Sequence, residues 1–270
     1  MSTRWERISR IARERPCEPR LVPEPNRVAA PSTRFEGAQA EASGLSYWRV
    51  ERELPAPDWR AALDRALEGR GLDAQERDAL EAAGTGGRVV FWDLETCGFS
   101  GNPLFLSGLL LVTPESARIV QCLARDYAEE RAVIQATCSL LGPSPLLVTF
   151  NGKSYDLPFL RERAARFGVP IPRMAGHIDL LHAARRRWRH ELEDCRLKTL
   201  ERRLGKTPRH GDPPGREVPE RYHRYVRERD PGVILPVLRH NRLDLATLPA
   251  ILGALSQPER APIPANLKQG

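Results

Sequence analysis

No two cysteines of this 270-residue chain stand in C-x-x-C spacing. The five that are present, Cys17, Cys97, Cys122, Cys138 and Cys195, therefore point to neither a zinc knuckle nor a disulfide framework and read as reduced thiols. The N-terminal MSTRWERISRIARER lacks an apolar core of signal-peptide length, and no stretch elsewhere approaches a membrane span. A cytoplasmic protein without a membrane partner is expected. No internal repeat is visible. Large apolar residues are scarce between Ile11 and about residue 45, where Arg, Glu, Pro and Ser predominate. Such a segment cannot bury enough surface to offset its ordering entropy, so 1–45 is expected to be a disordered N-terminal region.

What the chain does have is positive charge. Its formal net charge is +7 and its pI about 9.5, which favour a polyanionic partner; a soluble protein from an Arg- and Ala-rich background is the plainer reading. After the N-terminal region, DWRAALDRALEGRG (58–71) has Asp58 as an N-cap and a stripe of Trp59, Leu63 and Leu67. LDAQERDALEAAG (72–84) has the box-like pair Asp73 and Glu76. These two short helices make 46–86 a helical lead-in to a domain over 87–256, with 257–270 as a tail.

The domain begins with RVVFWDLETCGF (88–99), whose run of apolar residues from Val89 to Trp92 predicts a strand buried on both faces. The strands LFLSGLLLV (104–112) and ARIVQCLA (117–124) follow through short turns, as in an antiparallel meander. The period then changes. A helix over 129–142, a strand over 145–150, a helix over 156–168 closed by Gly168 and a short strand over 177–181 are expected. Basic helices over 182–204 and 219–229 and a last helix over about 236–255 complete the pattern. This order predicts an α/β fold, a mixed sheet with helices on both faces.

Carboxylates gather at the ends of these elements. Asp93 and Glu95 are two apart on a strand and share a face, where like charges repel unless a cation separates them or one turns to water. In FNGKSYD (150–156) a strand ends in an Asn-Gly turn and Asp156 opens the next helix. In RHNRLDLATL (239–248) His240 and Asp244 lie four apart on one helix face. Each feature alone is ordinary, a turn, a cap or a surface hydrogen bond. Together, at strand ends where α/β proteins collect ligands, they imply two divalent cations, Mg²⁺ or Mn²⁺, and phosphodiester hydrolysis.

DLETCGFSG, TFNGKSYD, DLLHAARRRWRH, LKTLERRLG, GDPPGREVP and HNRLDLATL, spread over roughly residues 88–255, resemble the YprB-like group of the DEDD 3′-5′ exonuclease superfamily. The resemblance implies a ribonuclease H-like five-stranded sheet, three antiparallel strands followed by parallel ones. It also implies a 3′→5′ exonuclease acting on DNA or RNA with a single-stranded 3′ end. Asp93 would bridge both metals, Glu95 and Asp244 would serve the nucleophile side, and Asp156 would hold the second metal. The superfamily carries a Tyr four residues before the last Asp or a His five before it. Here His240 stands at the tyrosine spacing, so a general base and a phosphate-contacting or orienting residue are both open roles for it.

Arg185, Arg186 and Arg187, followed by Arg189 and His190, could track phosphates, although these residues cannot all face one way on a helix. Lys153 and Tyr155 could touch a terminal nucleotide or be a turn lysine and a packed tyrosine. Asp179, between His177 and His182, reads as a helix cap, and Lys198 as a helix-surface residue. An endonuclease on the same fold and a non-catalytic nucleic-acid-binding module are the rival functions. The latter would be marked by a missing carboxylate, and all are present.

Overall fold

The continuous apolar run from Val89 to Trp92 requires a strand with cover on both sides, and the computed structural model provides it. The structure describes residues 36–54, 71–84, 88–113, 116–206 and 209–255. Its strands in chain order are β1 (Ala38–Ala42), β2 (Leu45–Leu54), β3 (Val89–Thr96), β4 (Leu104–Val112), β5 (Ala117–Leu123), β6 (Leu146–Thr149) and β7 (Gly176–Asp179). Its helices are α1 (Ala74–Gly84), α2 (Glu130–Leu141), α3 (Asp156–Phe167), α4 (Leu180–Trp188), α5 (Leu197–Arg203), α6 (Val218–Glu228) and α7 (Pro231–Leu255).

One mixed sheet runs in the order β1-β2-β5-β4-β3-β6-β7. β3 pairs antiparallel with β4 and parallel with β6, and β6 pairs parallel with β7. Val90, Trp92 and Leu94 point to one face, into a core with Val133, Leu160 and Tyr222. Val89 and Phe91 point to the other, among Leu80, Leu180, Leu245 and Leu248. The period of two carries Asp93 and Glu95 onto that second face, toward α7. The expected α/β class and the meander followed by parallel strands are present.

Three expectations need correction. The sheet has seven strands, because a hairpin of β1 and β2 adds to the free edge of β5, with Trp48 opposite Leu123 and Val50 opposite Gln121. Tyr47, Trp48 and Val50 are buried there, so β1 falls within the stretch expected to be disordered and the expected helical lead-in starts with a strand. An unpaired edge is an open row of donors and acceptors, and pairing it outweighs the poor apolar content of a strand rich in Arg and Glu. Second, the helix expected over 182–204 is two helices. Asp194 accepts from Arg196 N at 3.0 Å and Thr199 Oγ1 at 2.6 Å, which starts α5 afresh after the turn that follows Trp188. Third, α7 begins at Pro231, ahead of the expected 236, with proline in the first turn where its missing N–H costs nothing.

The helix expected over 58–71 lies, but for Gly71, outside the described residues, as do residues 1–35 of the N-terminal region and the tail. Cys97, Cys122, Cys138 and Cys195 are free thiols. Among the described residues no helix is long and apolar enough to cross a membrane.

Candidate metal centre

Asp93 and Glu95 reach this centre from β3 because the strand alternates. Asp156 reaches it because the loop 151–155 is held against β7: the carboxylate of Asp179, fully buried, accepts from Asn151 N at 2.8 Å, Lys153 N at 3.0 Å and Leu181 N at 3.1 Å. Asn151 takes φ 67° at this turn, a left-handed conformation that asparagine tolerates. Asp156 then opens α3, and its Oδ1 accepts from Leu94 N at 3.0 Å. That bond ties the start of α3 to the residue between the two β3 carboxylates. His240 and Asp244 come from α7 with His240 Nε2 3.6 Å from Asp244 Oδ2.

The electrostatics tie the four carboxylates together. Asp93 is pushed well above the usual carboxylate range, first by burial and then by Glu95, Asp244 and Asp156. Glu95 is raised likewise, by burial and then by Asp244, Asp156 and Asp212. Burial pushes Asp156 up to about 7 even though the backbone N–H groups of Leu94 and Asp156 pull it down. Asp244 is also raised by burial, while His240 and Arg209 oppose the shift. Asp93 and Glu95 are raised because each is desolvated and faces neighbours of its own sign.

Among the described residues no three His, Cys, Asp or Glu side chains are drawn into a ready coordination shell. The donor set nevertheless suits hard divalent cations: it is entirely carboxylate oxygen, without cysteine, and its members repel in the absence of added positive charge. Asp93, Glu95, Asp156 and Asp244 are the residues that could hold such ions.

Residues that sequence reasoning passed over crowd the same place. Arg209 pairs with Asp244 and with Glu201, and Thr247 Oγ1 donates to Glu201 Oε1 at 2.7 Å. Asp212 Oδ1 lies 2.8 Å from His240 Nδ1, and Lys198 Nζ lies 3.3 Å from Asp212 Oδ2. An imidazole facing a carboxylate through Nδ1 carries a proton there, and Nε2 is the nitrogen turned toward Asp244. Lys198 is thus placed beside the centre while remaining largely exposed. Asn241 and Gln121 join Asp93 through buried amides. The only signal for Asp212 was its place in GDPPGREVP, and nothing in the pattern around Gln121 or Arg209 singled them out.

The remaining candidates fall elsewhere. Arg186 pairs with Glu76 and, at 3.7 Å, with Asp73; Arg187 pairs with Glu191 at 3.1 Å, so both have acidic partners within the chain. Arg185 stands exposed on the same helix. Tyr155 packs rather than projects: its hydroxyl donates to Gly98 O at 3.0 Å and lies 2.6 Å from Thr96 Oγ1, which pins the loop after β3. Lys153 is exposed on its turn. His177 Nε2 sits 2.8 Å from Thr149 Oγ1, and Asp179 caps α4 as expected.

A sequence model of the RNase_H superfamily matches residues 90–256, which covers β3 to the end of α7. The chain belongs to the RNase_H superfamily. Members of this superfamily are typically metal-dependent nucleases, and divalent ions are their general cofactor. The uncharacterized protein YprB of Bacillus subtilis (strain 168) is 33% identical over 165 residues, 59% of this chain and 40% of that protein. The chain therefore spans well under half the length of that curated relative. The family B DNA polymerase of the hyperthermophilic archaeon Pyrobaculum calidifontis matches at a TM-score of 0.47 and 20% identity, over 62% of this chain and 24% of that one.

Proposed function

We propose that this RNase_H superfamily domain hydrolyses phosphodiester bonds of nucleic acid and works as a 3′→5′ exonuclease with two Mg²⁺ or Mn²⁺ ions, in the cytoplasm, on a single-stranded 3′ end of DNA or RNA. The observation that carries the reading is the elevation of Asp93 and Glu95 at the end of β3, by burial and by the charges of Asp156 and Asp244 beside them. Desolvated carboxylates that repel one another are a standing demand for cations.

Asp93 would bind both ions, Glu95 and Asp244 the ion on the side of the attacking water, and Asp156 the other. Bound ions would supply the positive charge that activates the water and stabilises the departing oxygen. The chain's own contribution is placement. Leu94 N holds Asp156, and Asp212 holds His240 with Nε2 facing Asp244. In that pose His240 accepts the proton of the attacking water or orients it. Nucleic acid would approach along exposed cations such as Lys153 and Arg185, whose phosphate contacts weaken with salt.

Incubation with end-labelled and circular single-stranded DNA and RNA, in Mg²⁺ or Mn²⁺ against EDTA, tests the reading. Stepwise shortening from the 3′ end that EDTA abolishes is the expected result. Nicking of circles would instead support an endonuclease, and binding without cleavage a non-catalytic module.

A further inference from the structure

Asp93, Gly108 and Gln121 are register partners on three neighbouring strands: Asp93 lies opposite Gly108, and Gly108 opposite Gln121. Asn241 of α7 lies over the middle position. Its Nδ2 donates to Asp93 Oδ2 at 2.8 Å and lies 3.3 Å from the Asp93 main-chain oxygen. Its Oδ1 accepts from Gln121 Nε2 at 2.8 Å, and the same Nε2 donates to Leu238 O, also at 2.8 Å.

The direction of both amides follows from what lies at the two ends. The carbonyls of Leu238 and Asp93 can only accept, so each must meet an NH₂ group. Gln121 therefore turns its nitrogen toward α7, and Asn241 must offer its oxygen to Gln121 and its nitrogen to Asp93. Asn241 is fully buried and Gln121 is 2% exposed. A Cβ on Gly108 would stand 2.1 Å from Asn241 Oδ1, so the gap over β4 is the space the amide occupies. An apolar pair could fill it without any desolvation cost; what the amides add is a direction.

We propose that Gln121 and Asn241 are positioning residues, a buried amide relay that holds Asp93 by Oδ2 and leaves its other oxygen for a divalent cation. The proposal rests on the metal-centre reading above. Asn241 carries the contact and Gln121 sets its polarity. Partners of metal ligands typically contribute about 10–100-fold in metal affinity or activity when they are changed.

The test is Mn²⁺ titration followed by the paramagnetic resonance of the free ion, on the full chain, Asp93→Asn, Gln121→Met and Gln121→Glu, with near-ultraviolet circular dichroism as the folding control. Ionised, Gln121→Glu has the parent's shape but only acceptors, so Asn241 must turn its NH₂ group to the new carboxylate and present its oxygen to Asp93. Mn²⁺ affinity should fall about 10-fold in Gln121→Met and more in Gln121→Glu, within the 10–100-fold range for such partners. Single-stranded DNA kinetics should show a lower kcat at unchanged KM. Parental Mn²⁺ affinity in folded Gln121→Glu would overturn the relay. So would loss of the parental near-ultraviolet spectrum in both variants, which would assign the amides to folding alone. If the parent chain itself binds no Mn²⁺, or binds it equally well as Asp93→Asn, the metal-centre reading fails first, and that result is distinct from failure of the relay.

Discussion

Asp179 ends β7 and Asp93 stands near the end of β3, in strands that run the same way in one sheet. Both are aspartates at the place where α/β proteins put ligands, yet their neighbours differ in kind. Asp179 is met by three backbone N–H groups, from Asn151, Lys153 and Leu181. Asp93 is met by Glu95, Asp156 and Asp244, and the Asn241 amide is the donor that offsets them. The chain completes the first carboxylate and leaves the second incomplete. A buried acid at a strand end is thus a structural part when the backbone satisfies it, and a site when other acids surround it.

The contrast breaks most sharply at Asp93 and Glu95. Asp93→Asn and Glu95→Gln should each lower turnover by about 10³-fold or more, the rate equivalent of several kcal/mol of metal-held charge, as read from product ladders. The same variants should melt higher than the parent in EDTA. The folded-state carboxylates are raised, so the folded chain binds more protons than the unfolded one and loses stability as pH rises past about 4; removing one charge relieves this. An unchanged or lower melting temperature in EDTA for both variants would deny that these acids repel.

Asp179→Ala should act oppositely. Stranding its three N–H donors should cost about 3 kcal/mol or more in urea unfolding, with or without metal. A loss near zero would erase the contrast. His240→Ala comes next, with a rate loss of roughly 10²-fold if Nε2 handles the attacking water. A near-parental rate would reduce His240 to an orienting partner of Asp212.

The smallest effect is expected at His177, two residues before Asp179. Burial, aided by Lys153, depresses its imidazole to about 4, so as pH falls below 6.5 the unfolded chain takes up a proton that the folded chain refuses. Stability should drop on this account by about 2–3 kcal/mol between pH 6.5 and 4. The metal-free carboxylates push the other way over the same range, because Asp156 at about 7 binds its proton first in the folded state. The difference between parent and His177→Gln unfolding profiles isolates the imidazole; a flat difference would refute its burial as the neutral form.

Legibility in the sequence followed the strength of periodic patterns. β3 and its two carboxylates were readable because four apolar residues ahead of an alternating acid pair fit a buried strand that ends in two like charges on one face. Asp156 and Asp244 were readable from strand-turn-helix and i,i+4 spacing. The β1–β2 hairpin was not, since Arg49, Glu51, Arg52 and Glu53 disguise an edge strand as a charged linker. The break between α4 and α5 depends on Asp194 gathering donors across a turn, which no helical period announces. Arg209 and Gln121 act through partners 35 and 120 residues away, so neither could show locally. The partners of the arginine run were hidden for a related reason: Glu76 and Glu191, which pair with Arg186 and Arg187, stand outside its helix.

The bare Cα at position 108 makes stability and function separable in a way single substitutions hide. Gly108→Ala drives its methyl into Asn241 Oδ1, whereas the Leu245 Cδ1 atom, 2.7 Å from the same point, can swing aside. Gly108→Ala combined with Asn241→Ala removes the collision with the amide and leaves only the Leu245 contact, so the double variant should be more stable than Gly108→Ala alone, a favourable coupling in a double-mutant cycle. It should also be as poor at holding a cation as Asn241→Ala. Restored folding without restored chemistry is the signature of a glycine whose role is to leave room.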